Sequence, residues 1–163
     1  MTDMALPLLD VSVEAGDWHD IDRFTGLSRK AVDATCMLAE LKMHPETEMG
    51  ILLTDDANIK LLNQEHRGKA SPTNVLSFPI CDADTETKGP LLGDVVLAFE
   101  TLEAEAQTQK KSLDEHFSHL IIHGILHLFG YDHQIDDDAN EMEALEISVM
   151  RHLGYPDPYA GAV

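Results

Sequence analysis

The sequence predicts an α+β fold, α/β-like in its first half, with a single four-stranded mixed sheet packed against about five helices. Three observations predict it. Strand and helix patterns alternate through the first half of the chain. Two short apolar stretches fenced by prolines and joined by a polar segment then read as an antiparallel pair. Three successive helical patterns close the chain. At 163 residues, 44% of them hydrophobic, the chain is long enough to bury a core without disulfide staples, and residues 1–163 are expected to form one domain.

Each element has its own signal. LLDVSVE (8–14) alternates apolar and polar residues after Pro7, as a half-buried strand does. Ser28 is the expected N-cap of a helix running to about residue 43, with Val32, Cys36, Ala39 and Met43 at helical spacing. ETEMGILLTD (46–55) ends in a continuous apolar run, the pattern of a strand covered on both faces. Asp55 or Asp56 can cap a helix through DANIKLLNQEHR, which Gly68 stops. SPTNVLSFPI (71–80) and LLGDVVLAFE (91–100) are strands joined by the turn region CDADTETKGP. Asp94, inside the second of these, must be hydrogen-bonded or exposed, shaping a pocket or serving a turn or edge. Helices follow at about 101–111, 113–129 and 137–153, the last with Met142, Leu145, Val149 and Leu153 on one stripe. The tail YPDPYAGAV is expected to pack poorly.

Charge and cysteine usage narrow the function. Thirty acidic residues against 11 Lys plus Arg give a net charge of −19, which opposes non-specific attraction to nucleic acid. A polyanionic substrate therefore needs a local basic patch or a helper that delivers it. KLLNQEHRGK is the clearest local reversal, with Lys60, Arg67 and Lys69 against Glu65. No apolar run reaches the roughly 18 residues of a membrane span, and MTDMALPLLD lacks the basic and apolar regions of a secretory signal, so a cytoplasmic protein without a membrane partner is expected. Cys36 and Cys81 form no CxxC pair, which argues against a thiolate metal site.

The strongest chemical signal is HGILHLFGYDH (123–133). His123 and His127 are four apart and share one face of a helix. Gly130 permits the chain to turn and bring His133 toward them. This is the spacing of the zincin-type HExxHxxGxxH signature, whose three histidines hold one zinc. The protease base is missing, because Gly124 stands where that signature has glutamate. A three-histidine zinc still lowers the pKa of its water to about 7, and neutral ligands leave the cation its full charge for an anionic substrate. The expected cofactor is thus one Zn²⁺, or another divalent ion, on His123, His127 and His133. His116 and His119 extend the same stripe, where they line a wet groove, or His119 orients a ligand or the substrate. Asp132 is a candidate base or a cap for the bend.

Arg67 is the second residue singled out. Its planar fork matches two phosphate oxygens and could stabilise charge growing on a phosphodiester opposite the metal, with Lys69 adding a looser charge. The plainer alternative is a solvated arginine favoured by a helix C-terminus.

HRGKASPTNVLSFP, LLGDVVLAFET and HLIIHGILHLFGYDH together resemble the bacterial rRNA maturation endoribonuclease YbeY family, and EMEALEISVM looks like its closing segment. The resemblance implies metal ligands at His123, His127 and His133 and a functional arginine at Arg67. It implies a single-strand-directed, zinc-dependent endoribonuclease that processes the 3′ end of small-subunit rRNA and serves ribosome quality control. Ribosomal RNA and ribosomal proteins are the implied partners. One position departs from the family pattern: Asn74 stands where aspartate is usual. Two rivals remain, a zinc metallopeptidase-like hydrolase suggested by the spacing, and a non-enzymatic ribosome assembly factor whose zinc is structural.

Overall fold

A computed structural model describes residues 5–82, 84–132 and 136–160. The chain runs β1 (Leu8–Val13), α1 (Ile21–Leu38), β2 (Glu48–Thr54), α2 (Asp56–Arg67), β3 (Val75–Pro79), β4 (Leu91–Ala98), α3 (Phe99–Thr108), α4 (Leu113–Leu128) and α5 (Asp136–His152). The strands form one mixed sheet in the order β1-β2-β4-β3. β1, β2 and β4 are parallel, and β3 pairs antiparallel with β4 from Val75 opposite Leu97 to Pro79 opposite Gly93. The expected α+β architecture and the expected hairpin-like pair are both present. No helix among the described residues is long and apolar enough to cross a membrane.

Three expectations are corrected, the first being the end of α1, which lies at Leu38 rather than near residue 43, with Met43 in an isolated bridge to Lys88. α1 begins seven residues before Ser28, with Asp20 as its N-cap accepting from the Arg23 amide at 3.1 Å. Ser28 is buried within the helix, on the stripe that also carries Phe24, Val32 and Thr35. A small residue on an apolar face looks like a cap in sequence, but here it is the space between packed elements that selects it. The tail is also better anchored than expected through residue 160. The Lys111 ammonium donates to the Pro158 carbonyl at 2.7 Å, Pro158 is buried, and the Asp157 carboxylate accepts from the Tyr159 amide at 2.8 Å.

The two sheet faces are covered unequally. One face packs against α1 and α4, with α5 laid against those two helices, burying Met49, Ile51, Leu53, Val95 and Leu97 with Phe117, Ile121 and Ile125. Each such side chain contributes roughly 1.5–3 kcal/mol relative to exposure. The other face meets α2 through Ile59, Leu76, Val96 and Ala98. Asp94 lies on that second face, exposed, with Asp10 and Glu48 in a separate groove. It therefore belongs to the exposed alternative and shares no cleft with the histidines.

α4 is the buried element that places those histidines. Ser112 caps it by accepting from the Glu115 amide at 3.1 Å. From His116 to Leu128 most of its residues are buried, including Gly124. An alanine Cβ at Gly124 would stand 2.7 and 3.0 Å from the two methyls of Val95. Position 124 thus points into the sheet, and glycine lets helix and strand approach.

Candidate metal centre

The sequence of α4 leaves one stripe facing away from the core, and it carries His119, His123 and His127, each partly exposed. His123 and His127 are brought together with Nε2 to Nε2 at 3.0 Å and rings nearly perpendicular at 79°. Gly130 has φ +95, as expected of a helix stop, with its amide on the His127 carbonyl at 3.0 Å. His133 lies outside the described residues. Among the described residues no group of three or more His, Cys, Asp or Glu side chains is arranged to hold a metal.

The partner of these histidines is a residue that sequence reasoning missed. Glu146 of α5 is 1% exposed, and its Oε1 lies 2.9 Å from His123 Nδ1 while Oε2 lies 3.0 Å from His119 Nε2. Burial acts to raise the Glu146 carboxyl, but the hydrogen bonds and charges of His119 and His123 prevail and hold it down at about 2. An ionised carboxylate only accepts, so both facing ring nitrogens must donate. His123 therefore turns an Nδ1 proton toward Glu146, and in the neutral ring the lone pair lies on Nε2, the atom next to His127. Carboxylate, histidine and metal stand in this order in many zinc sites, where the outer carboxylate fixes the ligand's tautomer. The donor set fits a borderline-soft divalent cation such as zinc.

Tyr159 was missed as well. Its hydroxyl donates to Glu146 Oε2 at 2.5 Å and lies 3.1 Å from Oε1, while its ring stands edge-on to His119 at 5.5 Å. Burial and then the Glu146 contact push its phenol upward, so it remains a donor. A sequence signal for Glu146 did exist: it sits one turn beyond Met142 and just before Val149, on the buried side of α5. A carboxylate on an apolar stripe demands a buried partner. Tyr159, in a short Pro-bounded tail, gave no such signal.

His116 is buried and faces a different carboxylate, with Nε2 2.9 Å from Glu105 Oε1. Asn74 donates to that same oxygen at 2.9 Å. Burial acts to raise Glu105, but the bonds from His116 and Asn74 lower it below its ordinary value. Asparagine at 74 therefore supplies a donor where a second carboxylate would repel.

Arg67 ends α2 and faces the same cleft as His123 and His127, a cavity of about 510 Å³ also lined by Asn74, Ser77, Tyr131 and Asp132. Local structure explains the placement. Gly68 adopts the left-handed conformation at φ 70, closing the helix on the Gln64 carbonyl, and buried Asn63 donates to the Ser71 carbonyl at 2.9 Å. The chain is thereby led from the end of α2 into β3, along the cleft wall. Lys69 is exposed and does not line the cleft.

The chain resembles known proteins over nearly its whole length. The family model described as endoribonuclease YbeY matches residues 13–154. The chain is 46% identical over 159 residues to an endoribonuclease YbeY from Bradyrhizobium diazoefficiens, covering 95% of this chain and 86% of that protein. It is 45% identical over 157 residues to one from Sinorhizobium fredii, covering 93% and 91%. A solution structure from Thermotoga maritima shares the fold with a TM-score of 0.61 at 24% identity, covering 90% of this chain and 89% of that one. The chain belongs to the endoribonuclease YbeY family.

Proposed function

We propose that this chain, working as one domain in the cytoplasm, is a metal-dependent endoribonuclease that cuts single-stranded RNA during maturation of the small-subunit rRNA 3′ end and in ribosome quality control. Its metal is Zn²⁺ or another divalent ion on His123, His127 and His133. The observation that carries this reading is the paired Nε2 atoms of His123 and His127 on a cleft that Arg67 also lines. When bound, the cation supplies an activated water or polarises the scissile phosphate.

The chain's own groups do the rest. Glu146 keeps the His123 proton on Nδ1, and His119 shares that carboxylate, so the imidazole face is held without rearrangement. Arg67 supplies a permanent cation where charge grows on the phosphate oxygens. Ser77 donates to the Gly124 carbonyl at 3.1 Å, tying the cleft edge of β3 to α4. Asp132, on the cleft wall, is a candidate to accept a proton from the attacking oxygen. With a surface of net charge −19, RNA is expected to arrive with ribosomal proteins that shield or bridge the repulsion.

Gly124 weighs against the metallopeptidase rival. The protease glutamate belongs at position 124, and here that position points at Val95 in the core rather than into the cleft. Arg67→Ala tests the proposal: RNA cleavage should fall roughly 10²–10³-fold with metal content unchanged. End-group analysis of the products separates water attack from attack by the RNA 2′-hydroxyl, which leaves a cyclic phosphate. Peptide cleavage that survives Arg67→Ala would restore the rival.

A further inference from the structure

Tyr159 lies beyond residues 13–154, the segment that matches the family model, yet its hydroxyl is joined to the metal helix through a single intermediary. Among the described residues Glu146 meets three donors: His119 Nε2, His123 Nδ1 and the Tyr159 hydroxyl. A buried carboxylate needs its lone pairs satisfied, and its rotation is fixed once donors approach from both sides. The two histidines, both on α4, engage one carboxylate oxygen each. The phenol approaches from the C-terminal segment. That segment is pinned separately by Lys111 on the Pro158 carbonyl, and the Asp157 carboxylate shapes its turn locally by accepting from the Tyr159 amide.

We propose that Tyr159 is a positioning residue of the metal site: its hydroxyl fixes Glu146 so that Glu146 holds His123 in the Nδ1-protonated form, with Nε2 presented to the cation. The inference rests on the metal reading above and extends the site into the C-terminal segment. It acts on ligand basicity and orientation, so it must appear in metal affinity before it appears in folding.

Tyr159→Phe removes one oxygen and keeps the ring against His119. Zinc affinity of the full-length chain, measured by competition with a chromophoric chelator, should weaken roughly 10-fold. Glu146→Gln should weaken it too, and adding Tyr159→Phe to Glu146→Gln should cause little further loss, since the tyrosine works through the carboxylate. In the metal-stripped protein the imidazole ¹⁵N signals of His123 should move in Tyr159→Phe from the Nδ1-protonated pattern toward a mixture of tautomers. Wild-type affinity in Tyr159→Phe, or a full additional loss on top of Glu146→Gln, overturns the inference. Unchanged His123 tautomer signals overturn it as well. A wild-type chain that takes up no zinc refutes the metal reading first and this inference with it; wild-type uptake with an unaffected Tyr159→Phe refutes only the inference.

Discussion

Gly124→Ala is a substitution whose sign distinguishes a glycine required by packing from one that is merely tolerated. In an open helix interior the change should stabilise by about 1 kcal/mol, because alanine is the better helix former. Here the new Cβ would meet Val95 Cγ1 at 2.7 Å and Cγ2 at 3.0 Å. Val95 is fully buried on a central strand and has a stiff, branched side chain, so it cannot turn away at low cost. Overpacking of this kind costs about 1–3 kcal/mol, leaving a net loss of roughly 1 kcal/mol after the propensity gain. The perturbation also pushes α4 off the sheet between His123 and His127, so zinc affinity should fall with stability. Urea denaturation of wild type, Gly124→Ala, Val95→Ala and the double variant measures the effect, with constant m-values confirming comparable states. In the Val95→Ala background, where both clashing methyls are gone, Gly124→Ala should become stabilising, giving a coupling of about 2 kcal/mol. A stabilising Gly124→Ala in the wild-type background, or no coupling to Val95, would refute the packing argument and reopen the space for a protease-like glutamate.

Three further outcomes follow from the same structure. Glu105 has its pKa lowered in the fold, with His116, Asn74 and Lys111 facing it, so its stabilising contribution is present above the ordinary value of 4.5 and is lost as pH falls through the lowered one. The stability advantage of wild type over Glu105→Gln should therefore shrink in acid unfolding below about pH 4.5; an advantage unchanged at pH 3 would contradict the assignment. Asn74→Asp should destabilise by about 1–3 kcal/mol at neutral pH by replacing a donor with a second carboxylate, and Glu105→Gln should rescue it; thermal denaturation of the single and double variants reads this directly. Burial pushes the Cys36 thiol up to about 12, with Asp33 adding to the effect and Arg29 opposing it. At pH 8 a thiolate-seeking reagent should modify partly exposed Cys81 first, and equal rates at both cysteines in the native protein would count against this packing.

Much of the architecture is legible in the sequence because it rests on local patterns. Asp55 and Gly68 bracket α2 as a cap and a left-handed stop, and the apolar runs at 48–54 and 91–98 mark the central strands. Ser28 misleads because a hydroxyl and a small volume look alike in sequence, and only its burial within α1 distinguishes them. Within the site, the histidine spacing identifies the element and Arg67 the opposing charge. What sequence could not supply is the meeting of α4 with α5 and with the C-terminal turn. Glu146 and Tyr159 follow the histidines by more than a dozen residues, and their role depends on a tertiary contact that no periodicity encodes. Asn74 was noticed only as a departure from the family pattern. Its hydrogen bond to Glu105 gives that departure a physical reason.

The most direct test is cleavage of single-stranded RNA by the wild-type chain as purified, after chelation, and after stoichiometric restoration of Zn²⁺, with metal content measured in each sample. His127→Ala is carried through the same series. Cleavage should disappear on chelation, return with the metal, and remain absent in His127→Ala, while the stripped wild type stays folded by circular dichroism. Undiminished cleavage by the metal-free chain would contradict the account. So would a chain that unfolds on chelation and, fully reloaded with zinc, never cuts RNA, the behaviour of an assembly factor with a structural metal.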